Sequence, residues 1–131
     1  MREQVRPMDP SGEFYTLEGC YINELSNIDA DPDASIARAR VRAGATTRWH
    51  RLAGITERYV VLSGTGTVEV GDLPAQSVGA GGVVLIPPGC RQRITNEKNE
   101  DLVFLAICTP RFRAEAYEDI DPRPMPTDRA G

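Results

Sequence analysis

Apolar positions in the middle of the chain come in short runs, each of strand length. Residues 57–62 (ERYVVL) are rich in β-branched and aromatic side chains, and residues 67–70 (TVEV) alternate polar with apolar. Val83–Ile86 (VVLI) and residues 102–107 (LVFLAI) are continuously apolar. Turn signals separate them: Ser63-Gly64-Thr65-Gly66, Gly71-Asp72, Gly79-Ala80-Gly81-Gly82 and Pro87-Pro88-Gly89. Short strands recurring about every 8–12 residues predict an all-β sandwich or barrel. Residues 13–21 and Ser35–Val41 are weaker strand candidates. No segment reads as a convincing helix; the nearest, residues 111–117, is short and follows Pro110. Pro122, Pro124 and Pro126 predict an extended or frayed end over residues 121–131.

Alternation also assigns faces, because every second side chain of a strand points the same way. Glu57, Tyr59 and Val61 share one face. Gln92 shares a face with Ile94, and His50 with Leu52. The apolar partner marks each face as the inner one, so His50, Glu57 and Gln92 are expected to enter one interior. A carboxylate taken from water costs several kcal/mol unless paired or coordinated. Glu57 therefore needs a partner there: a His50 imidazolium, a metal ion, or a hydrogen bond from Tyr59 or Gln92.

With 131 residues, the chain suits a single domain. The expected division is a barrel core at about 13–110, an extension over 1–12 and a C-terminal segment over 111–131. Apolar residues make up 40% and charged residues 26%, the balance of an ordinary globular protein. A net charge of −4 provides no electrostatic attraction to nucleic acid or to an anionic membrane. No apolar run is long enough to span a bilayer, and residues 1–12 lack the apolar stretch of a signal peptide. A cytoplasmic location is the resulting expectation. Cys20, Cys90 and Cys108 include no C-x-x-C pair and are expected to pack as small hydrophobes.

Two stretches carry a recognisable pattern. In residues 44–64 (GATTRWHRLAGITERYVVLSG), Gly44, His50, Glu57 and Gly64 fall in register with the first motif of the cupins. In residues 81–96 (GGVVLIPPGCRQRITN), Gly81, Pro87, Gly89 and Asn96 fall in register with the second. Turn chemistry explains each glycine and proline singly but not their joint spacing. The chain thus resembles the small single-domain cupins, which implies a double-stranded β-helix, or jelly-roll, barrel and commonly a homodimer. The resemblance also implies a divalent metal held at four positions, here His50, Leu52, Glu57 and Gln92. Leu52 cannot ligate, and Gln92 offers only a neutral carbonyl oxygen. The reduced set His50, Glu57 and Gln92 suits iron, manganese, nickel, copper or zinc.

Three functions follow as alternatives. The first is a metal-dependent enzyme acting on a small polar organic molecule as a dioxygenase, isomerase or lyase, with Tyr59 as proton donor or base. The second is a metal-free isomerase with His50 as base, tuned by Glu57. The third is a small-molecule-binding barrel in which His50 and Glu57 form a buried pair. A Ser-His-Asp triad is disfavoured, since the single histidine lacks a G-x-S-x-G partner, and the glycine run at 79–82 lacks the Lys-Ser/Thr of a phosphate loop. Arg38, Arg40 and Arg42 alternate opposite Ala37, Ala39 and Val41 and are expected on a solvated or dimer-forming outer face, with an anion-binding stripe at a barrel mouth the alternative. For Trp49 and Phe112 the expected fate is core or interface packing, with pocket lining the alternative.

Overall fold

The computed structural model describes residues 1–125, which form eleven strands and two short 3-10 helices. The strands are β1 (Phe14–Tyr15), β2 (Tyr21–Ser26), β3 (Ser35–Val41), β4 (His50–Leu52), β5 (Thr56–Ser63) and β6 (Thr65–Val70). They continue with β7 (Gln76–Gly79), β8 (Val83–Ile86), β9 (Gln92–Thr95), β10 (Leu102–Thr109) and β11 (Tyr117–Asp119). Two antiparallel sheets result. One has the order β1-β2-β3-β10-β5-β8 and the other β11-β4-β9-β6-β7. Among the described residues, no helix is long and apolar enough to cross a membrane.

The sheets enclose the core between their inner faces. From the first sheet come Val41, Tyr59, Val61, Leu102 and Phe104; from the second come Val68, Val70 and Ile94. Burying each large apolar side chain contributes about 1.5–3 kcal/mol. The alternation seen in the sequence is realised on β5, where Glu57, Tyr59 and Val61 are buried while Arg58 and Val60 are only half-buried. The motif residues hold the turns. Gly64 has a φ of +81°, and a Cβ there would meet the Asp101 carbonyl oxygen at 2.6 Å, so only glycine fits. Asn96 is fully buried; its amide donates to the carbonyls of Val41 (3.0 Å) and Glu100 (2.7 Å).

Both ends of the chain differ from the sequence expectation. Residues 13–21 do not form one strand. β1 is two residues long, a turn follows, and β2 starts at Tyr21. Residues 111–117 hold only a single 3-10 turn, Ala114–Ala116, too short to fill a helix. The chain then extends as β11 and pairs with β4, Tyr117 opposite Leu52 and Asp119 opposite His50. The second sheet therefore reaches past residue 110.

Residues 121–125 are not frayed, because buried Arg48 binds them. Its guanidinium donates to Asp119 (2.8 Å) and to the carbonyls of Asp121, Arg123 and Pro124 (3.1, 2.8 and 2.7 Å). Few other side chains could satisfy so many acceptors at once. The rest of the expected tail, residues 126–131, lies outside the described residues. On β3 the arginines do face outward. Arg40 pairs with Glu13 and Asp101 and lies 4.2 Å over the Tyr21 ring.

Candidate functional site

The face assignment holds for the three polar residues singled out in the sequence. His50, Glu57 and Gln92 are 2%, 8% and 0% exposed. His50 and Gln92 are direct cross-strand partners between β4 and β9. Glu57 reaches the same interior from β5 of the opposite sheet.

Gln92 is committed at both ends of its amide. Its Nε2 donates to Glu57 Oε1 at 2.8 Å, and its Oε1 accepts a short hydrogen bond from the Tyr59 hydroxyl. Burial, reinforced by Glu57, raises the Tyr59 pKa well above its ordinary value, so Tyr59 stays a phenol and a donor. The second Glu57 oxygen lies 3.8 Å from the Cys108 thiol. Burial and the neighbouring Glu57 push that thiol up to about 12, so it too remains protonated.

Glu57 pairs with Gln92 rather than with His50. Burial drives its pKa up to about 7, the Glu18 carboxyl adds to the rise, and the opposing influence of His50 and Gln92 does not cancel it. A carboxyl that titrates near neutrality can both hold and release a proton under ordinary conditions.

His50 faces Glu18 instead, with Nε2 3.5 Å from Glu18 Oε1. Its other nitrogen, Nδ1, lies 2.7 Å from the Arg48 carbonyl. A carbonyl can only accept, so Nδ1 carries a proton, and Nε2 is the ring nitrogen turned toward Glu18. Tyr117 of β11 stacks on the ring, centroids 5.1 Å apart.

Sequence reasoning missed Glu18 and Tyr117. Glu18 sits in the turn between β1 and β2, where no alternation assigns a face. Its only mark is a turn glycine beside it, which any surface turn shares. Tyr117 falls at the end of the weak helix candidate, residues 111–117. Its hydroxyl is buried and has no hydrogen-bond partner among the described residues.

These groups border a cavity of about 420 Å³ between the sheets, within the range of small-ligand sites. Glu18, Glu57, Tyr59 and Tyr117 lie on its wall. Ile22, Ala39, Phe104, Ala106 and Phe112 make most of the remainder apolar. Exposed Phe14, Leu17 and Glu24 mark its mouth. His50 and Gln92 stand behind that wall. Of the two aromatics left open in the sequence, Phe112 lines the cavity, whereas Trp49 packs under Arg91 and Arg93.

The arrangement does not fit a resident divalent metal. Leu52 is apolar and packs with Ile55 and Cys108. The only oxygen that Gln92 could offer a metal already accepts a hydrogen bond from Tyr59. Among the described residues, no three His, Cys, Asp or Glu side chains converge as a ligand set.

The Cupin domain family matches residues 37–108, more than half of the chain. The protein belongs to the cupin family. Its solved structural neighbours share the double-stranded β-helix barrel. One is Pac13 of Streptomyces, a nucleoside dehydratase also solved as variants with uridine. It is 17% identical, with a TM-score of 0.72 over 90% of this chain and 92% of its own. Another is a cupin 2 conserved barrel domain protein from Salinispora arenicola, 19% identical, with a TM-score of 0.70 over 88% of this cupin and 93% of the other. KdgF from Halomonas is 15% identical, with a TM-score of 0.64 over 74% and 83%. At these identities the likeness is one of fold. No curated protein sequence matches this cupin.

Proposed function

We propose that this cupin is an enzyme that moves protons on a small organic molecule, as an isomerase or lyase does, without a resident metal. The observation that carries the reading is Glu57: a cavity-wall carboxyl pushed up to about 7, facing the same space as Glu18. Two carboxyl groups with different surroundings are the usual basis of an acid and a base in one site. Glu18 removes a proton from the substrate and shares it with the Nε2 of His50 behind it. Glu57 supplies a proton to the departing hydroxyl in an elimination, or to the neighbouring atom in an isomerisation. Tyr59 and Gln92 position Glu57 through their hydrogen-bond chain. His50 keeps the proton-accepting role drawn from the sequence, but exercises it through Glu18. That Pac13, of the same fold, is a dehydratase is consistent with such chemistry.

A non-catalytic ligand-binding barrel is the second reading, favoured by the largely apolar cavity wall. Its expected setting is a cytoplasmic homodimer, as for the enzyme.

The test is solvent deuterium exchange followed by NMR. Protein dialysed against chelator, its metal content checked by elemental mass spectrometry, is incubated in D2O with small hydroxy- and amino-carbonyl compounds. The enzyme reading expects deuterium at the carbon next to the carbonyl, lost in Glu57→Gln and in Glu18→Gln. Exchange that appears only after a divalent metal is added overturns the metal-free reading. Binding without exchange leaves the binding barrel.

A further inference from the structure

The charge of the cavity wall narrows the class of ligand. Its ionisable acidic groups are Glu18 and Glu57 within and Glu24 at the mouth. No lysine or arginine lines it among the described residues. The protein has many arginines, but those near the cavity are spent elsewhere. Arg38 and Arg40 turn outward to Glu13, Arg48 holds Asp119 and the C-terminal carbonyls, and Arg111 binds Asn27 and Asp29.

An anionic ligand entering this space would be buried beside carboxyl groups with no cation to pair it, which is costly. A cation would find the opposite. Glu18 and Glu57 can accept its hydrogen bonds. Tyr117 lines the same wall, and its hydroxyl oxygen is buried without a partner among the described residues. Phe14, Tyr59, Phe104, Phe112 and Tyr117 add aromatic surface, and aromatic faces attract ammonium groups.

We infer that the cavity takes an organic amine: an ammonium head held among Glu18, Glu57 and the Tyr117 hydroxyl, with an apolar body against Ile22, Phe104 and Ala106. The inference rests on the cavity being the ligand site, as proposed above, and adds the charge of what enters it. Carboxylic acids, sugar acids and phosphorylated compounds are thereby excluded as preferred ligands.

Three probes of one apolar body test it: 2-phenylethylamine, 2-phenylethanol and 3-phenylpropionate. Each is titrated into the full chain near neutral pH, with amide shifts of Ala37, Ala106 and Tyr117 locating the binding. The amine is expected to bind at least about tenfold more tightly than the alcohol, with the carboxylate weakest. Glu18→Gln should remove most of the amine's advantage while the alcohol still binds. Carboxylate binding as tight as the amine's, with the same amides moving, overturns the charge preference and leaves the cavity as a ligand site. Failure of all three to move those amides overturns both. Loss of deuterium exchange alone, with amine binding intact, sinks only the catalytic reading.

Discussion

The Tyr117 ring lies against the His50 imidazole with an interplanar angle of only 17°. The two residues are 67 positions apart in sequence, and the pairing of β11 with β4 brings them together. Tyr117 lines the cavity, and its hydroxyl is buried with no partner among the described residues. Tyr117→Phe keeps the ring and removes a buried polar group whose desolvation costs about 1–3 kcal/mol. Urea denaturation should show this variant as stable as the parent or more so, while its affinity for the amine probe falls. Tyr117→Ala should lose about 2 kcal/mol or more, because the ring contacts go too.

Glu57 makes stability depend on pH. Its folded value of about 7 lies above the ordinary carboxyl value of 4.5, so the folded state holds a proton that the unfolded state has released. Its contribution is fully present below pH 4.5, falls as pH rises, and is lost above about 7. The loss amounts to about 3 kcal/mol. Glu57→Gln abolishes this slope. Denaturation curves across the range should show the two proteins diverging steadily, the variant being the more stable at alkaline pH. Parallel profiles would mean that Glu57 is ionised throughout.

Arg48 ties the C-terminal segment to the barrel. Arg48→Met keeps a long apolar stem but takes the guanidinium donor from Asp119 Oδ2 and from three backbone carbonyls. Hydrogen bonds to a charged group are typically worth about 1.5–3 kcal/mol, and a loss of that size is expected. Hydrogen exchange provides a local readout. The amides of Ala53 and Ile120, which bond across to Ala116 and Trp49, should lose protection before the amides of β10 do.

Imidazoles can be placed at the two motif positions that hold Leu52 and Gln92. Leu52→His combined with Gln92→His places imidazoles at both positions and breaks the Tyr59–Gln92–Glu57 chain. Elemental mass spectrometry should find near-stoichiometric divalent metal in the double variant and far less in the parent. Equal and high metal in both would show that the parent ligand set is sufficient as it stands.

Much of this site could be read from strand alternation. Val61, Ile94 and Leu52 each mark an inner face, and with them Glu57, Gln92 and His50 fall into one interior. Alternation says where a side chain points, not what it bonds. That Gln92 spends its carbonyl on Tyr59, and that His50 faces Glu18 rather than Glu57, depends on distances across the barrel. Glu18 escaped because a turn has no period. β11 escaped because Tyr-Glu-Asp is too short and too acidic to carry a strand signature, and its pairing with β4 joins residues more than sixty positions apart.

Glu18 and Tyr117 both lie outside residues 37–108, the stretch that marks the chain as a cupin. The barrel motifs supply the rigid half of the site: Glu57, Gln92, His50 and the turns that hold them. The two flanking segments bring Glu18 and Tyr117 to the cavity wall. Ligand choice can therefore drift by substitution in the flanks, while the barrel that carries the family signature stays unchanged. Two proteins with the same motif spacing need not share a substrate, and residues aligned with 18 and 117 are the place to look for the difference.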